Sequence, residues 1–160
     1  MSEQAKRIRD SRVTIGRVML PTDANPRGNV QGGVIMKLVD EAGAIAALRH
    51  SRRPVVTVAV DSMTFLSPIY VGNLVTLTAS LSYVGRTSME VEVLVEAEDP
   101  VTGQKTHTNT AYVVYVALDE SGQPSEVPAL IAETEEERER IAKGKQRQEE
   151  RLARRGDRAR

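Results

Sequence analysis

One apolar segment, residues 34–48, most constrains the fold available to this 160-residue chain. It follows the pair Gly32-Gly33, and its charged residues are one lysine and two neighbouring acids, Asp40 and Glu41. The segment predicts a helix that is apolar on nearly every face, and such a helix belongs inside a protein. A carboxylate buried there without a partner costs free energy, so chains rarely keep one for stability alone. Asp40 is therefore a candidate functional residue.

The charge and cysteine content exclude several classes of function. Basic and acidic residues number 22 each, so no overall field attracts nucleic acid or an anionic membrane. The chain has no cysteine, which excludes thiol catalysis, cysteine-ligated metals and disulfides and fits a reducing compartment. The N-terminus lacks the apolar run of a secretory signal, and no apolar run approaches the roughly 20 residues that span a bilayer. We expect a cytoplasmic protein with no nucleic-acid or membrane partner.

The rest of the pattern predicts one strand, the long helix and then several consecutive strands. Prolines and turn-forming residues separate the runs, and some runs alternate apolar and polar residues as half-buried strands do. The run Val55–Val60 has the β-branched density of a buried strand. Consecutive strands joined by short turns favour an antiparallel sheet and an α+β fold. The predicted helix spans residues 32–50, and the predicted strands span residues 12–20, 55–60, 73–84, 89–96 and 105–118.

The chain is expected to form one domain, at residues 12–128, because its length suits a single core. A polar segment, residues 1–11, precedes it. The apolar helix needs cover on more faces than one small sheet supplies. We therefore expect the sheet to wrap around the helix and a second subunit to cover the rest.

The composition changes after this domain. Residues 133–160 hold eight acids and ten bases with few apolar residues, and several acids stand four positions before a base. That order favours ion pairs along a helix, so we predict a solvated, charged helical tail at residues 129–160. Nucleic-acid binding by its arginines is less favoured, because acids are interspersed and no aromatic residue accompanies them.

The helix that carries Asp40 offers groups for two catalytic tasks. Its face beyond Asp40 consists of glycine and alanine, so a ligand or another chain can approach closely. At the N-terminus, Gly32 and Gly33 present free N–H groups at the positive end of the helix dipole, which can stabilise an oxyanion. A base and an oxyanion hole would then lie on one element. The alternative for Asp40 is a salt bridge with Lys37.

Two loops supply further candidates. Asn25 lies in the loop that leads into the helix, where the alternative role is an Asx turn or a loop cap. A later turn combines a cation with two hydroxyls, which suits a phosphate group, although turns of this composition are common. We call it the arginine turn, and it consists of Gly85, Arg86, Thr87 and Ser88.

Motifs of several other chemistries are missing from the sequence. It has no phosphate loop, no dinucleotide-binding fingerprint, no nucleophile elbow and no metal-ligand spacing. Hydrolysis would therefore have to use a carboxylate and water.

Taken as a set, these residues and several further motifs resemble the hotdog-fold acyl-CoA thioesterases, specifically the cytosolic acyl-CoA hydrolase group. The resemblance runs from about Ile15 into the charged tail. One departure is Gln31, where relatives commonly have His or an aromatic residue. The matching segments are Asp23-Ala24-Asn25, Gly32-Gly33, Met36–Ile45, Phe65–Pro68, Thr102-Gly103, Thr108-Asn109, Ala111, Tyr115-Val116 and Val127-Pro128.

The resemblance implies a sheet wrapped around the central helix, with two subunits forming one continuous sheet and hexamers built as trimers of dimers. It implies hydrolysis of acyl-CoA to CoA and a free acid, at sites shared between Asn25 of one chain and Asp40 of the other. Asp40 would activate water or attack the thioester itself, and the N–H groups near Gly32 and Gly33 would hold the oxyanion. The arginine turn would contact CoA. No metal and no cofactor beyond CoA as part of substrate and product is expected.

Three alternatives share this fold. A hotdog dehydratase would need a catalytic histidine near the helix, and the loop from Asn25 to Gly33 has none. A regulator that binds acyl-CoA without turnover would use the same cleft and normally carries a DNA-binding segment, which the chain does not show. The third alternative is a structural oligomer with an inactive site.

Overall fold

The computed structural model describes residues 4–61 and 63–158, so residues 1–3 of the polar segment and 159–160 of the tail lie outside the described residues. The predicted helix and strands are each confirmed to within two residues. Four short elements were not predicted, namely β1, α1 and β7 below and a 3₁₀ turn at Pro21–Asp23. In chain order the elements are β1 (Lys6–Arg7), α1 (Ile8–Ser11), β2 (Val13–Val18), α2 (Gly32–Ser51), β3 (Val55–Val60), β4 (Leu74–Val84), β5 (Ser88–Glu98), β6 (Lys105–Ala117), β7 (Leu130–Ile131) and α3 (Glu135–Arg158).

Five strands form an antiparallel sheet in the order β2-β4-β5-β6-β3. The strands β4, β5 and β6 follow one another through short turns, and Gly103 adopts a φ of 76° in the turn between β5 and β6. The strand β3 pairs with β6 and forms one edge of the sheet. The short strands β1 and β7 form a separate parallel pair. The predicted α+β fold with an antiparallel sheet is confirmed.

The helix α2 lies against one face of this sheet. Leu38, Val39 and Ala42 are buried in the core with the inward-facing residues of β4, β5 and β6. On its other side, Met36 and Leu48 remain 48% and 42% exposed. A single chain therefore leaves part of this apolar helix uncovered, as expected. In the described part of the chain, no helix, α2 included, has the length and apolarity to cross a membrane.

The strand β3 is less buried than its composition predicts. Val56, Val58 and Val60 are 43–52% exposed within the single chain. The prediction of a buried strand was wrong for the isolated chain, because β3 is an edge strand whose second edge meets no strand among the described residues. A β-branched run indicates a strand, but its position in the sheet depends on long-range pairing.

The C-terminal helix α3 packs against the outer face of the sheet, opposite α2. Gly144 is buried, and a Cβ atom there would lie 2.7 Å from the carbonyl oxygen of Ser82. The side chain of Arg147 stacks on Tyr112, with its guanidinium carbon 3.7 Å from the ring centroid. The helical part of the tail prediction is confirmed. The prediction that it is solvated was wrong for one face, where Arg147 and Arg151 have a partner on the sheet.

The main partner is Glu90, a carboxylate on β5 with a side chain that is 0% exposed. Arg147 donates to both carboxylate oxygens, at 2.7–3.2 Å, and Arg151 reaches Oε2 at 2.8 Å. The hydroxyl of Ser82 donates to Oε1 at 2.6 Å. The charges of the tail therefore neutralise a buried acid on the sheet, a contact between distant segments that the local charge pattern does not show.

Candidate active site

Asp40 lies in the middle of α2, and one of its carboxylate oxygens is held from the sheet. Thr57 Oγ1 donates to Asp40 Oδ1 at 2.8 Å. The hydroxyl of Tyr115 lies 3.1 Å from the same oxygen and 2.9 Å from the backbone carbonyl oxygen of Asp40. Asp40 Oδ2 has no hydrogen-bond partner among the described residues. The carboxylate is thus oriented through one oxygen and open at the other.

Strand pairing places the two donors side by side. Thr57 on β3 and Tyr115 on β6 are direct partners in the antiparallel register. Their side chains reach the half-buried Asp40 from the sheet below α2. The predicted alternative, a salt bridge between Asp40 and Lys37, does not form. Lys37 Nζ instead lies 4.0 Å from Glu41 Oε1 on the exposed side of the helix.

Gly43 makes room for the tyrosine. A Cβ atom at this position would collide with the Tyr115 hydroxyl and lie 3.1 Å from two further ring atoms. Because Gly43 lies one helical turn after Asp40, the phenol passes beside it to reach Asp40. The sequence predicted that a ligand or another chain approaches the helix at its small residues. At Gly43 the space is instead occupied by Tyr115, a side chain of the same chain.

The environment of Tyr115 keeps its phenol protonated. Burial raises the pKa of this tyrosine far above its ordinary value of 10.0, and the neighbouring Asp40 charge and hydrogen bond raise it further. A neutral phenol has one proton to donate, and both acceptors near it belong to Asp40. Tyr115 is therefore a fixed hydrogen-bond donor to Asp40 at neutral pH.

The glycine pair begins α2 as predicted. Gln31 is the N-cap residue, and no side chain caps the first turn. A Cβ atom on Gly33 would have no neighbour within 4 Å, so the backbone is accessible there. With a rise of about 1.5 Å per residue, Gly33 lies roughly 10 Å along the helix axis from Asp40 and on the same face. A substrate could lie between these two groups.

Asn25 forms the Asx turn that was the alternative reading of its role. Its Oδ1 accepts hydrogen bonds from the backbone N–H groups of Arg27 at 2.9 Å and Asn29 at 3.2 Å. The side-chain amide Nδ2 has no partner among the described residues. Within one chain, no hydrogen bond joins Asn25 to Asp40. The oxygen is thus structural, while the amide donor remains available.

The arginine turn connects β4 to β5 and lies at the same end of the sheet as Tyr115. Met89 directly follows the turn and pairs with Tyr115. The Gly85 N–H closes the turn by donating to the Ser88 carbonyl oxygen at 2.8 Å. Arg86 is 79% exposed and lies 3.8 Å from Glu126, a contact that solvent screens. Its guanidinium is therefore accessible to a ligand.

Thr57 and Tyr115 were not among the predicted site residues. Both lie within strands whose composition indicates core and sheet, and a hydroxyl in a strand has no local signal of function. Their role depends on the register between β3 and β6, which a single sequence does not reveal. The small residue Gly43 was the one local indication that something approaches the helix near Asp40.

Among the described residues, neither a cluster of potential metal ligands nor the outer groove beside α3 lies at this site. In residues 4–61 and 63–158, no three potential metal ligands come together. A groove of about 1150 Å³ runs between α3 and the outer faces of β3 and β6, with Val58, Val114 and Arg155 among its lining residues. It lies on the face of the sheet opposite Asp40.

The comparisons with known proteins agree with this fold. The family model described as Thioesterase superfamily matches residues 27–104. An uncharacterised acyl-CoA thioester hydrolase of Bacillus subtilis is 38% identical over 135 residues, which cover 84% of this chain and 75% of that protein. The cytosolic acyl coenzyme A thioester hydrolase of mouse is 42% identical over 130 residues, but the chain spans about a third of its length, 34%.

Solved structures extend the match to nearly the whole chain. An apo-hexameric acyl-CoA thioesterase has a TM-score of 0.90 and 37% identity, covering 94% of this chain and 97% of that one. An acyl-CoA hydrolase of Staphylococcus aureus, solved with butyryl coenzyme A and coenzyme A, has a TM-score of 0.89 and 35% identity over 96% and 93% of the two chains. Further structures of that enzyme carry alanine in place of one aspartate, one asparagine or one threonine. The chain belongs to the thioesterase superfamily, and within it to the hotdog-fold acyl-CoA hydrolases.

Proposed function

We propose that the protein hydrolyses acyl-CoA thioesters to CoA and a free carboxylic acid, with Asp40 as the catalytic carboxylate. The observation that carries this proposal is the arrangement of that carboxylate. Oδ1 is held by Thr57 and Tyr115, while Oδ2 has no hydrogen-bond partner among the described residues, and the helix that carries Asp40 is partly uncovered in the single chain. A general base needs such a fixed and accessible oxygen within reach of the proton it removes.

Spacing in a related enzyme supports the assignment of these residues. In the Staphylococcus aureus hydrolase, the substituted asparagine, aspartate and threonine are separated by 15 and by 17 positions. Asn25, Asp40 and Thr57 have the same two separations. The structure with the asparagine replaced holds coenzyme A. We therefore assign Asn25 and Thr57 to the same site as Asp40.

In the mechanism that this geometry favours, Asp40 Oδ2 removes a proton from water, and the water oxygen attacks the thioester carbonyl carbon. The oxyanion of the tetrahedral intermediate accepts hydrogen bonds from the N–H groups of Gly32 and Gly33. Collapse breaks the carbon–sulfur bond, and the CoA thiolate takes up a proton. Gly33 and Asp40 are roughly 10 Å apart along the axis of α2, which leaves room for both a water molecule and a carbonyl group, each about 3 Å from its neighbours. Direct attack by the carboxylate on the carbonyl carbon would need a shorter distance between these two residues.

The proposed working assembly is a homodimer with shared sites, in which the partner chain supplies Asn25 to Asp40. The uncovered side of α2 and the open edge of β3 support it, because both leave apolar surface and backbone groups without cover. Relatives described as hexameric support a trimer of such dimers. We further propose that the arginine turn contacts the phosphate or pantetheine part of CoA and that the protein is cytoplasmic, as the mouse and rat relatives are named.

Measurement of CoA release from acyl-CoA substrates of several chain lengths tests the function. Asp40→Asn keeps the shape of the side chain but removes the base, so turnover should fall by about 10²–10⁴-fold. Glu41→Gln is the matched control, because this neighbouring carboxylate is exposed and contacts Lys37. It should retain wild-type activity. A wild-type protein that releases no CoA from any acyl-CoA, or an active Asp40→Asn variant, would refute the proposal.

A further inference from the structure

The hydroxyl of Tyr115 donates its only proton to Asp40. Its side chain is 0% exposed, and its hydroxyl lies within hydrogen-bond distance of both the backbone oxygen and Oδ1 of Asp40. A donor shared between these two atoms links the carboxylate to the backbone of its own residue. That link restricts rotation of the Asp40 side chain, which a bond to the carboxylate alone would not do.

The two donors to Asp40 come from different strands. Thr57 lies on the exposed edge strand β3, whereas Tyr115 lies on β6, which is paired on both sides. The tyrosine is fully buried, whereas the threonine is exposed in the single chain. Because both donate to Oδ1, they leave Oδ2 as the oxygen that can receive a proton from water.

A buried tyrosine could also serve as a core residue whose hydroxyl bonds to the nearest carbonyl group. Two observations argue for more than this role. The hydroxyl also reaches the carboxylate, and α2 has a glycine at a position where a Cβ atom would collide with that hydroxyl. A phenylalanine would fill nearly the same core volume without this collision, because its nearest ring atoms would lie 3.1 Å from such a Cβ atom.

We propose that Tyr115 is a positioning residue for the reaction, one that holds the Asp40 carboxylate so that Oδ2 faces the attacking water. This inference rests on the proposed function and names a residue beyond the asparagine, aspartate and threonine discussed above. Burial keeps the phenol neutral, so the same donor persists across the pH range in which Asp40 acts as a base.

Tyr115→Phe removes the donor and keeps the ring. We expect kcat to fall about 10-fold while KM changes by less than about two-fold, because orientation is lost and substrate contacts are not. Tyr112→Phe is the matched control. It removes a hydroxyl from the opposite face of β6, where Tyr112 donates to Glu92, and should change neither kcat nor KM.

Gly43→Ala tests the same contact without removing the phenol. The new Cβ atom would displace the Tyr115 hydroxyl from Asp40, so this variant should reproduce the loss of kcat with little change in KM. The Tyr115 hydroxyl oxygen, which is the atom closest to the new Cβ atom, is absent in the Tyr115→Phe background. The fold loss of kcat caused by Gly43→Ala should therefore be at least about three times smaller in that background than in the wild type.

The outcomes separate this inference from the proposed function. Wild-type hydrolysis that depends on Asp40, together with an unchanged kcat in Tyr115→Phe, overturns the positioning role and leaves the function standing. A wild-type protein without hydrolase activity overturns the function itself. Both variants should keep the native circular dichroism spectrum. If both unfold, Tyr115 is a structural residue and the inference fails.

Discussion

Arg147 should contribute more to folding stability than the buried acid it neutralises. The side chain of Glu90 is 0% exposed, whereas those of Arg147 and Arg151 are 22% and 10% exposed. Removing Arg147 leaves a carboxylate that cannot reach water, and loss of one partner from a buried pair costs about 3–5 kcal/mol. Arg151 still contacts Glu90, so we expect the lower end, about 3 kcal/mol, for Arg147→Ala.

The reverse change should cost less. Glu90→Gln leaves an amide that can still accept hydrogen bonds, and the arginines can turn toward solvent. We expect a loss of about 1–2 kcal/mol. The double variant should be no less stable than Arg147→Ala alone, because it contains no uncompensated buried charge. A larger loss in the free energy of unfolding for Glu90→Gln than for Arg147→Ala would refute this reasoning.

Urea unfolding followed by circular dichroism measures these differences, at one protomer concentration because association adds to apparent stability. Arg138→Ala is the control, since Arg138 lies on the same helix but pairs with Glu135 in solvent, where both side chains are more than half exposed. It should change the free energy of unfolding by less than about 0.5 kcal/mol. If Arg147→Ala is as mild as this control, α3 does not pack on the sheet in solution.

Three further outcomes are expected. Mixing inactive Asn25→Ala chains with inactive Asp40→Asn chains should restore CoA release, because one of the two shared sites in a mixed dimer is intact. Verified subunit exchange without recovery of activity would show that Asn25 and Asp40 do not meet across the interface. Arg86→Ala should raise KM for acyl-CoA more than it lowers kcat, the pattern of lost ground-state binding, and an unchanged KM would remove the arginine turn from the site. Alkaline titration should lower the free energy of unfolding as pH rises past about 10, because the raised pKa of Tyr115 keeps its proton in the native state while the unfolded tyrosine ionises. The slope should be shallower in Tyr115→Phe, although Tyr112, with a pKa also raised by burial and by Glu92, should leave a part of it.

The sequence predicts the elements of this fold well because their signals are local. The apolar run after Gly32 marks the helix, and the alternating runs mark the strands to within two residues. The place of β3 at the sheet edge is not local. It depends on pairing with residues 53–62 positions later in the chain, so the valines of β3 suggested a buried strand.

The difference between local signals and long-range pairing also separates the site residues that the sequence predicts from those that it does not. Asp40 is recognisable because an acid in an apolar helix costs free energy wherever the helix packs. Thr57 and Tyr115 are ordinary strand residues until the register between β3 and β6 places both beneath that acid. Glu90 and Arg147 are 57 positions apart and likewise meet only in three dimensions. Charge spacing along the tail predicted a helix but not the surface that it covers.

The position of Thr57 links the proposed chemistry to the proposed assembly. The donor to Asp40 Oδ1 lies on an edge strand, and the uncovered residues Met36 and Leu48 lie on the helix that carries the same acid. Whatever pairs with β3 and covers α2 therefore also lies next to Asp40. If a second copy of the chain does both, dimer formation encloses the carboxylate together with its attacking water and brings in the unpaired amide of Asn25 in one step. An isolated chain would then fold with its acid correctly oriented and still lack a closed site.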